Sequence, residues 1–161
     1  MIRDIKIYPH KILKQKTQPV DQIDEVTQKL IDDMIETLYA NKGAGLAANQ
    51  AGESKRIAVV DAGDGVRVLI NPEILSRRGN IISTEGCLSF PGIELKIKRP
   101  TEIEVSYLNQ RGELQKKQAS DLLARVICHE VDHLDGKTML DRVGLWQNIK
   151  TRYKLLRKKQ I

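Results

Sequence analysis

The sequence predicts an α+β fold in which antiparallel sheets pack around a central helix carrying two histidines, and a C-terminal helix follows. Apolar residues recur with the period of an amphipathic helix in one stretch near the start of the chain and in two stretches towards its end. Between them lie short runs rich in β-branched residues, separated by turn-forming residues. Because these runs are grouped and do not alternate with helices, α+β is favoured over a parallel α/β sheet.

The first predicted helix begins near Asp24 and Glu25 and ends before Gly43. Acidic residues are favourable in the first turn of a helix, and glycine is common just past its last turn. The apolar positions that share one face are Val26, Leu30, Ile31, Met34, Ile35 and Leu38.

Five predicted strands follow the first helix. They cover residues 57–61, 66–70, 81–84, 93–98 and 102–108, and glycine, proline and asparagine residues lie between them. Short runs that succeed one another in this way are typical of an antiparallel sheet or meander.

The central helix is predicted over residues 120–134. Ser120 or Asp121 can cap its start, and Gly136 can end it. Its broad apolar stripe consists of Leu122, Leu123, Val126, Ile127, Val131 and Leu134. A stripe of this width predicts a largely buried helix.

Length and composition indicate one domain covering residues 1–161. No apolar run approaches the length of a membrane span, and the first residues lack the apolar region of a secretion signal, so we expect a cytoplasmic protein without a membrane segment. In that compartment Cys87 and Cys128 are expected to be free thiols, metal ligands or nucleophiles, with no disulfide between them.

The net charge of +6 is concentrated in the last twenty residues, 142–161. The basic residues there are Arg142, Lys150, Arg152, Lys154, Arg157, Lys158 and Lys159. The apolar residues among them, Leu145, Trp146, Ile149, Tyr153 and Leu156, predict an amphipathic helix whose apolar stripe docks on the domain. Its basic side either binds a polyanion such as the ribosome or is simply solvated.

The pattern His129-Glu130-x-x-His133 uses two of the three histidines in the chain. On a helix, residues four apart lie on one face, so both imidazoles can bind a single metal ion while Glu130 reaches its open coordination position. The pattern therefore predicts metal-assisted hydrolysis.

A catalytic metal normally has a third protein ligand. The familiar protease patterns do not provide it, because Met139 stands where one of them requires histidine and no glutamate follows Glu130. The remaining candidates are Asp135, Asp141, His10, Cys128 and Cys87. Cys128 would point about 100° away from its neighbour His129 on the helix. Cys87 lies in a turn of small residues after a predicted strand and can present a thiolate towards the helix.

Three segments, residues 43–50 (GAGLAANQ), 85–89 (EGCLS) and 129–136 (HEVDHLDG), resemble the ordered signature motifs of the peptide deformylase family. The resemblance spans nearly the whole chain. One departure is Cys128, which stands where the family usually has glutamine, and another is His10, which replaces a common acidic residue.

The resemblance implies that Cys87, His129 and His133 bind one Fe²⁺ per chain, for which Zn²⁺, Ni²⁺ or Co²⁺ can substitute. It implies that Glu130 activates the attacking water and that the Gln50 side chain and the Leu88 backbone N–H stabilise the negative charge on the formyl oxygen. The substrates it implies are N-formylmethionyl nascent peptides.

Gly43 and Gly45 lack a Cβ and permit close backbone approach, and in the family this segment pairs with the substrate as an added strand. Leu46, Leu123, Val126 and Ile127 are the expected lining of a methionine pocket.

Two other functions compete with deformylation. One is a general metalloprotease, and the other is a metal-stabilised module that binds RNA or the ribosome. Glu130 argues against the binding module, because a structural metal site needs no base.

Overall fold

The structure is a computed structural model that describes residues 1–158. Its α+β class, with antiparallel sheets and a C-terminal helix, is as predicted. The helices are α1 (Glu25–Ala40), α2 (Asp121–Leu134) and α3 (Leu145–Lys158). The strands are β1 (Gly45–Ala47), β2 (Ile57–Val60), β3 (Arg67–Arg78), β4 (Ile81–Gly86), β5 (Glu94–Arg99), β6 (Glu102–Leu108) and β7 (Leu114–Ser120).

Helix α1 begins where the sequence predicts. The Asp24 side chain caps it by accepting a hydrogen bond of 2.8 Å from the Thr27 N–H. Leu30, Ile31, Met34 and Leu38 are buried in a core shared with β1 and β2, whereas Val26 is 70% exposed on the opposite side.

The strands form a five-stranded antiparallel sheet in the order β1-β2-β3-β6-β7 and a separate hairpin of β4 and β5. All five predicted strands are present, and β3 extends eight residues beyond its predicted end. The sequence did not indicate β1 or β7. β7 is polar along most of its length, and its pairing with β6 over residues 114–120 holds it in the sheet.

Helix α2 packs against the sheet and carries the two histidines. Ala124, Ile127, Val131 and Leu134 join a core with residues of β1, β2, β3 and β6. Cys128 lies in the same core and is 4% exposed. The central position predicted for this helix is confirmed.

Helix α3 begins three residues after the start of the predicted basic helix over 142–161, and residues 159–161 lie outside the described part of the chain. Arg142 belongs to a short 3-10 turn (Met139–Arg142) that precedes it, and Lys159 lies outside the described residues. The prediction that the apolar stripe docks on the domain is wrong, because Leu145, Trp146, Ile149 and Tyr153 are all at least half exposed. The helix is instead anchored through buried Thr151 and Leu155. No described helix is both long enough and apolar enough to cross a membrane.

Candidate metal centre and active site

Helix α2 and the turn after β4 bring together Cys87, His129 and His133. The Nε2 atoms of the two histidines are 3.2 Å apart, and Sγ of Cys87 lies 3.2 Å from Nε2 of His133. One ligand atom from each of the three residues lies within 4.8 Å of the others. The histidines approach because they are one helical turn apart, whereas Cys87 is 46 residues from His133 in sequence.

The other candidate ligands lie elsewhere. Asp135 forms an ion pair with Arg56, and Asp141 forms one with Lys14. His10 caps a 3-10 turn near the start of the chain.

Cys128 is also unsuitable as a ligand, because its thiol is buried in the core. Burial raises the pKa of this thiol to about 11, so it stays protonated. Both cysteines are free.

The donor set of two imidazoles and one thiol suits a divalent transition metal. A buried orphan atom supports the same conclusion: Oε2 of Glu130 forms no hydrogen bond with any described residue, although Glu130 is only 3% exposed. Buried carboxylate oxygens are rarely left without a partner. The site therefore fits a metal ion with a coordinated water beside Glu130.

A network of charged side chains surrounds the histidines. Oε2 of Glu85 is 3.0 Å from Nδ1 of His129, and Arg99 donates two hydrogen bonds to the same carboxylate. Arg99 also donates to Asp132 at 2.5 Å, and Arg142 forms a bidentate pair with Asp132. Burial alone would raise the pKa of Glu85, but the bonds from His129 and Arg99 lower it to about 2.

Neither Arg99 nor Asp132 belongs to the site residues predicted from the sequence. Arg99 is 4% exposed and Asp132 is 6% exposed, and charged groups this deeply buried must be paired. The available signal was the position of Asp132 between the two histidines of a helix expected to be buried.

Glu130 lies against the backbone of Gly45. A Cβ placed on Gly45 would collide with the Glu130 carboxylate, because it would lie only 2.8 Å from Cδ of Glu130. This contact, not only access for a substrate, explains the glycine. Burial raises the pKa of Glu130 to about 7, and such a carboxyl can both accept and donate a proton near neutral pH.

Gln50 is 1% exposed and firmly oriented. Its Oε1 accepts a hydrogen bond of 2.8 Å from the Ala47 N–H, so its NH₂ group points towards the turn that contains Cys87. Nε2 donates to Ser89 Oγ at 3.2 Å and lies 3.4 Å from Cys87 Sγ. The Leu88 backbone N–H, in the same turn, forms no hydrogen bond within the described residues.

A cavity of about 660 Å³ opens beside this group of residues. Of the predicted substrate-binding residues, Gly43, Gly45 and Val126 line it. Its wall also includes Ile5, Ile7, Thr84, Glu85, Leu122, Arg125, His129 and Glu130.

Leu46, Leu123 and Ile127 do not line this cavity, contrary to their predicted role. Leu46 belongs to β1, and its side chain is fully buried in the core with α1. The other two pack against the sheet. Leu122, Val126 and His129 lie on the cavity side of α2, whereas Leu123 and Ile127 lie on the side that packs against the sheet. In the sequence, these two sides of the helix form a single apolar stripe and cannot be told apart.

Strand β1 forms one edge of the five-stranded sheet. Ala44 O and Ala48 N bond towards β2, so by alternation the polar backbone atoms of Gly45 and Ala47 point away from it. The Ala47 N–H is already bonded to Gln50. Gly45 therefore presents its N–H and C=O to the cavity.

Two histidines and a cysteine around one point, a buried glutamate beside them and an open cavity form the arrangement of a metal-dependent hydrolase. The family model described as Polypeptide deformylase matches residues 2–148. The chain belongs to the peptide deformylase family and is an enzyme of that family.

Relatives cover almost the whole chain. The peptide deformylase of Dictyoglomus thermophilum is 48% identical over 154 residues, 96% of this chain and all of the relative. That of Caldanaerobacter subterraneus is 44% identical over 88% of this chain and 89% of its own length. The crystal structure of Ehrlichia chaffeensis peptide deformylase in complex with actinonin has a TM-score of 0.95 and 35% identity, covering 99% of each chain.

Proposed function

We propose that this protein hydrolyses the N-formyl group of the initiator methionine on newly synthesised chains. Formyl-methionyl peptide and water give formate and the peptide with a free α-amino group. The observation that carries the proposal is the buried, unpartnered Oε2 of Glu130 beside Cys87, His129 and His133 at one end of an open cavity.

The proposed cofactor is one divalent ion held by Cys87, His129 and His133. Fe²⁺ is the proposed ion, with Zn²⁺, Ni²⁺ or Co²⁺ as substitutes. When bound, such an ion is a Lewis acid that lowers the pKa of a coordinated water towards about 7. Glu85 orients His129 by accepting a hydrogen bond from its Nδ1, which leaves Nε2 as the donor atom to the metal.

Glu130 is the proposed general base. Its carboxylate takes a proton from the attacking water and then gives it to the departing amine, so that the carbon–nitrogen bond breaks without forming an amide anion. A pKa of about 7 suits both transfers. The close fit of its carboxylate against Gly45 limits its position.

Gln50 Nε2 and the Leu88 N–H are the proposed donors to the negative charge that develops on the formyl oxygen. Both lie in the segments that surround the metal-binding group, and both residues line the cavity. Gln50 is held before substrate arrives by its bond from Ala47, so little reorganisation is needed during the reaction.

The peptide is proposed to bind as an extended strand along the free edge of β1. Gly45 presents its N–H and C=O there, and Gly43 lines the same wall. The methionine side chain lies against Val126 and the neighbouring apolar part of the cavity. Leu46 supports this wall from beneath and has no direct contact with the cavity.

We further propose that the enzyme acts in the cytoplasm as a single domain over residues 1–161, on chains leaving the ribosome. Exposed Trp146 and Tyr153 accompany exposed Lys150, Arg152 and Lys154 on α3. This mixture of aromatic and basic side chains suits contact with the ribosome. Co-sedimentation with ribosomes should weaken when the three basic residues are neutralised. If the same amount of protein sediments with ribosomes, the proposed ribosome contact through these residues is wrong.

The deciding experiment measures formate released from formyl-Met-Ala-Ser by anaerobic, iron-loaded protein. The matched variant is Glu130→Gln at equal metal content, which keeps the side-chain shape and removes the base. Turnover in the parent and its loss in the variant would support the proposal. Cleavage of internal bonds in unformylated peptides would favour a protease, and bound metal without any hydrolysis would favour a binding module.

A further inference from the structure

Arg125 is a charged side chain in the cavity wall that the proposed chemistry does not use. It lies on α2 one turn before His129, and it is half-buried. Its Nε donates a hydrogen bond of 3.3 Å to the Asp121 carbonyl in the same helix. No carboxylate among the described residues forms an ion pair with it. Its stem covers apolar surface, while its charge remains available at the mouth of the cavity.

The acidic residues of the cavity cannot neutralise Arg125. Glu85 is bonded to Arg99 and His129, and Glu130 is buried beside the histidines. The other cationic residue of the wall, Lys42, is exposed and lies on the segment that precedes β1. On the α2 side of the cavity, the Arg125 guanidinium is therefore a positive charge that is available to a bound ligand.

The position of this charge relative to the substrate follows from strand geometry, and this step rests on the proposed function. Side chains of an extended peptide alternate, so residues 1 and 3 point to the same side. If the methionine side chain points to α2, that of the third residue points there too.

The distances agree with this register. Residues 1 and 3 of a strand are separated by about 6.6 Å. The methionine is proposed to lie against Val126, and the Arg125 side chain runs back along the helix to the Asp121 carbonyl, next to Leu122. Leu122 and Val126 are four positions apart, which is about 6 Å along the helix axis. The cavity extends from His129 past Val126 and Arg125 to Leu122, so the wall and the peptide can run side by side.

We propose that Arg125 is a specificity-determining residue that selects substrates with an acidic side chain at the third position, two residues after the formylmethionine. The guanidinium attracts a carboxylate at that position and repels a lysine.

The experiment compares kcat/KM for C-terminally amidated formyl-Met-Ala-Glu, formyl-Met-Ala-Gln and formyl-Met-Ala-Lys, since amidation removes the competing terminal carboxylate. We expect the Glu peptide to exceed the Lys peptide by about two- to fivefold, the range for exposed charge pairs. The ratio should fall towards one in Arg125→Gln and invert in Arg125→Glu. Higher salt should reduce it in the parent.

The matched control is Lys42→Gln, which removes the same charge from the same cavity but from the other wall. It should leave the Glu-to-Lys ratio close to that of the parent. Moving the charged residue to the second position, in formyl-Met-Glu-Ala and formyl-Met-Lys-Ala, should give a smaller ratio that Arg125→Gln does not alter.

Failure of this inference is distinguishable from failure of the proposed function. No formate from any peptide would overturn both. Formate from all three peptides at equal kcat/KM would overturn only the role of Arg125. The role of Arg125 would also be overturned if the Glu-to-Lys ratio of kcat/KM fell to one in Lys42→Gln but stayed at the parent value in Arg125→Gln.

Discussion

The Glu85 carboxylate lies 3.0 Å from Nδ1 of His129, so a side chain two residues before Cys87 orients an imidazole from α2. Arg99 holds the same carboxylate from β5. The two elements that supply the proposed ligands are thus joined by a hydrogen bond as well as by any metal they share. This link should make the proposed metal site sensitive to residues that are not themselves ligands.

Metal affinity should fall in Glu85→Gln. The amide can no longer accept a charge-assisted hydrogen bond from His129, and a loss of this kind typically weakens metal binding by about 10- to 100-fold. Competition with a chelator measures the change. Glu94→Gln, an exposed substitution on the neighbouring strand of the hairpin, is the control and should bind metal like the parent. Equal affinity in both variants would contradict the role of Glu85.

Acid should destabilise the metal-free protein through Glu85. Its folded pKa is about 2 and its ordinary value is 4.5. Because the folded pKa is the lower one, the contribution to stability is complete above about pH 4.5 and is lost as the pH falls towards 2. It amounts to at most about 3 kcal/mol.

Urea unfolding at several pH values tests this contribution. The free energy of unfolding should fall less steeply between pH 4.5 and 2 in Glu85→Gln than in the parent, because the amide does not titrate. Parallel curves for the two proteins would show that the Glu85 pKa is not lowered in the folded state.

Gly45→Ala should lower kcat/KM by about 10². The new methyl group would displace the Glu130 carboxylate, and a catalytic group that is misplaced by about 1 Å can lower the rate by this factor. Steady-state deformylation at equal metal content measures the effect. Gly144→Ala is the control, since a Cβ there meets no atom within 4 Å. Full activity in Gly45→Ala would mean that Glu130 is free to move aside.

Gln50→Ala should lower kcat by about 10²–10³, the usual effect of removing one donor to a developing oxyanion, with a smaller change in KM. Metal content should be retained, because Gln50 is not a proposed ligand. Gln110→Ala removes an amide that bonds to Gln28, far from the cavity, and should be nearly neutral. A higher KM with an unchanged kcat would indicate that Gln50 binds the substrate but does not stabilise the developing oxyanion.

Metal should protect Cys87 from alkylation. Cys87 lines the cavity, whereas Cys128 is buried with its pKa raised to about 11 and serves as an internal control. With iodoacetamide, mass spectrometry should find Cys87 labelled in metal-free protein and unlabelled after metal is restored. Equal labelling of Cys87 in both states would oppose its role as a ligand.

The sequence alone determined the features that depend on neighbouring residues. The spacing of apolar residues predicted α1 and the central position of α2. The run of β-branched segments predicted five of the seven strands found in residues 1–158. The pattern of His129, Glu130 and His133 placed both imidazoles on one side of a helix, because that relation needs only the helical period.

The tertiary structure decided which distant residues meet. It brought Cys87 to within 3.2 Å of a histidine 46 positions away and paired Arg99 with Glu85 and Asp132. It also held polar β7 in the sheet and turned Leu123 and Ile127 of α2 away from the cavity. Burial is a property of what packs around a residue, and those neighbours come from other parts of the chain. For this reason local periodicity identified the helix that carries the two histidines, but only the assembled fold determined which of its faces borders the cavity.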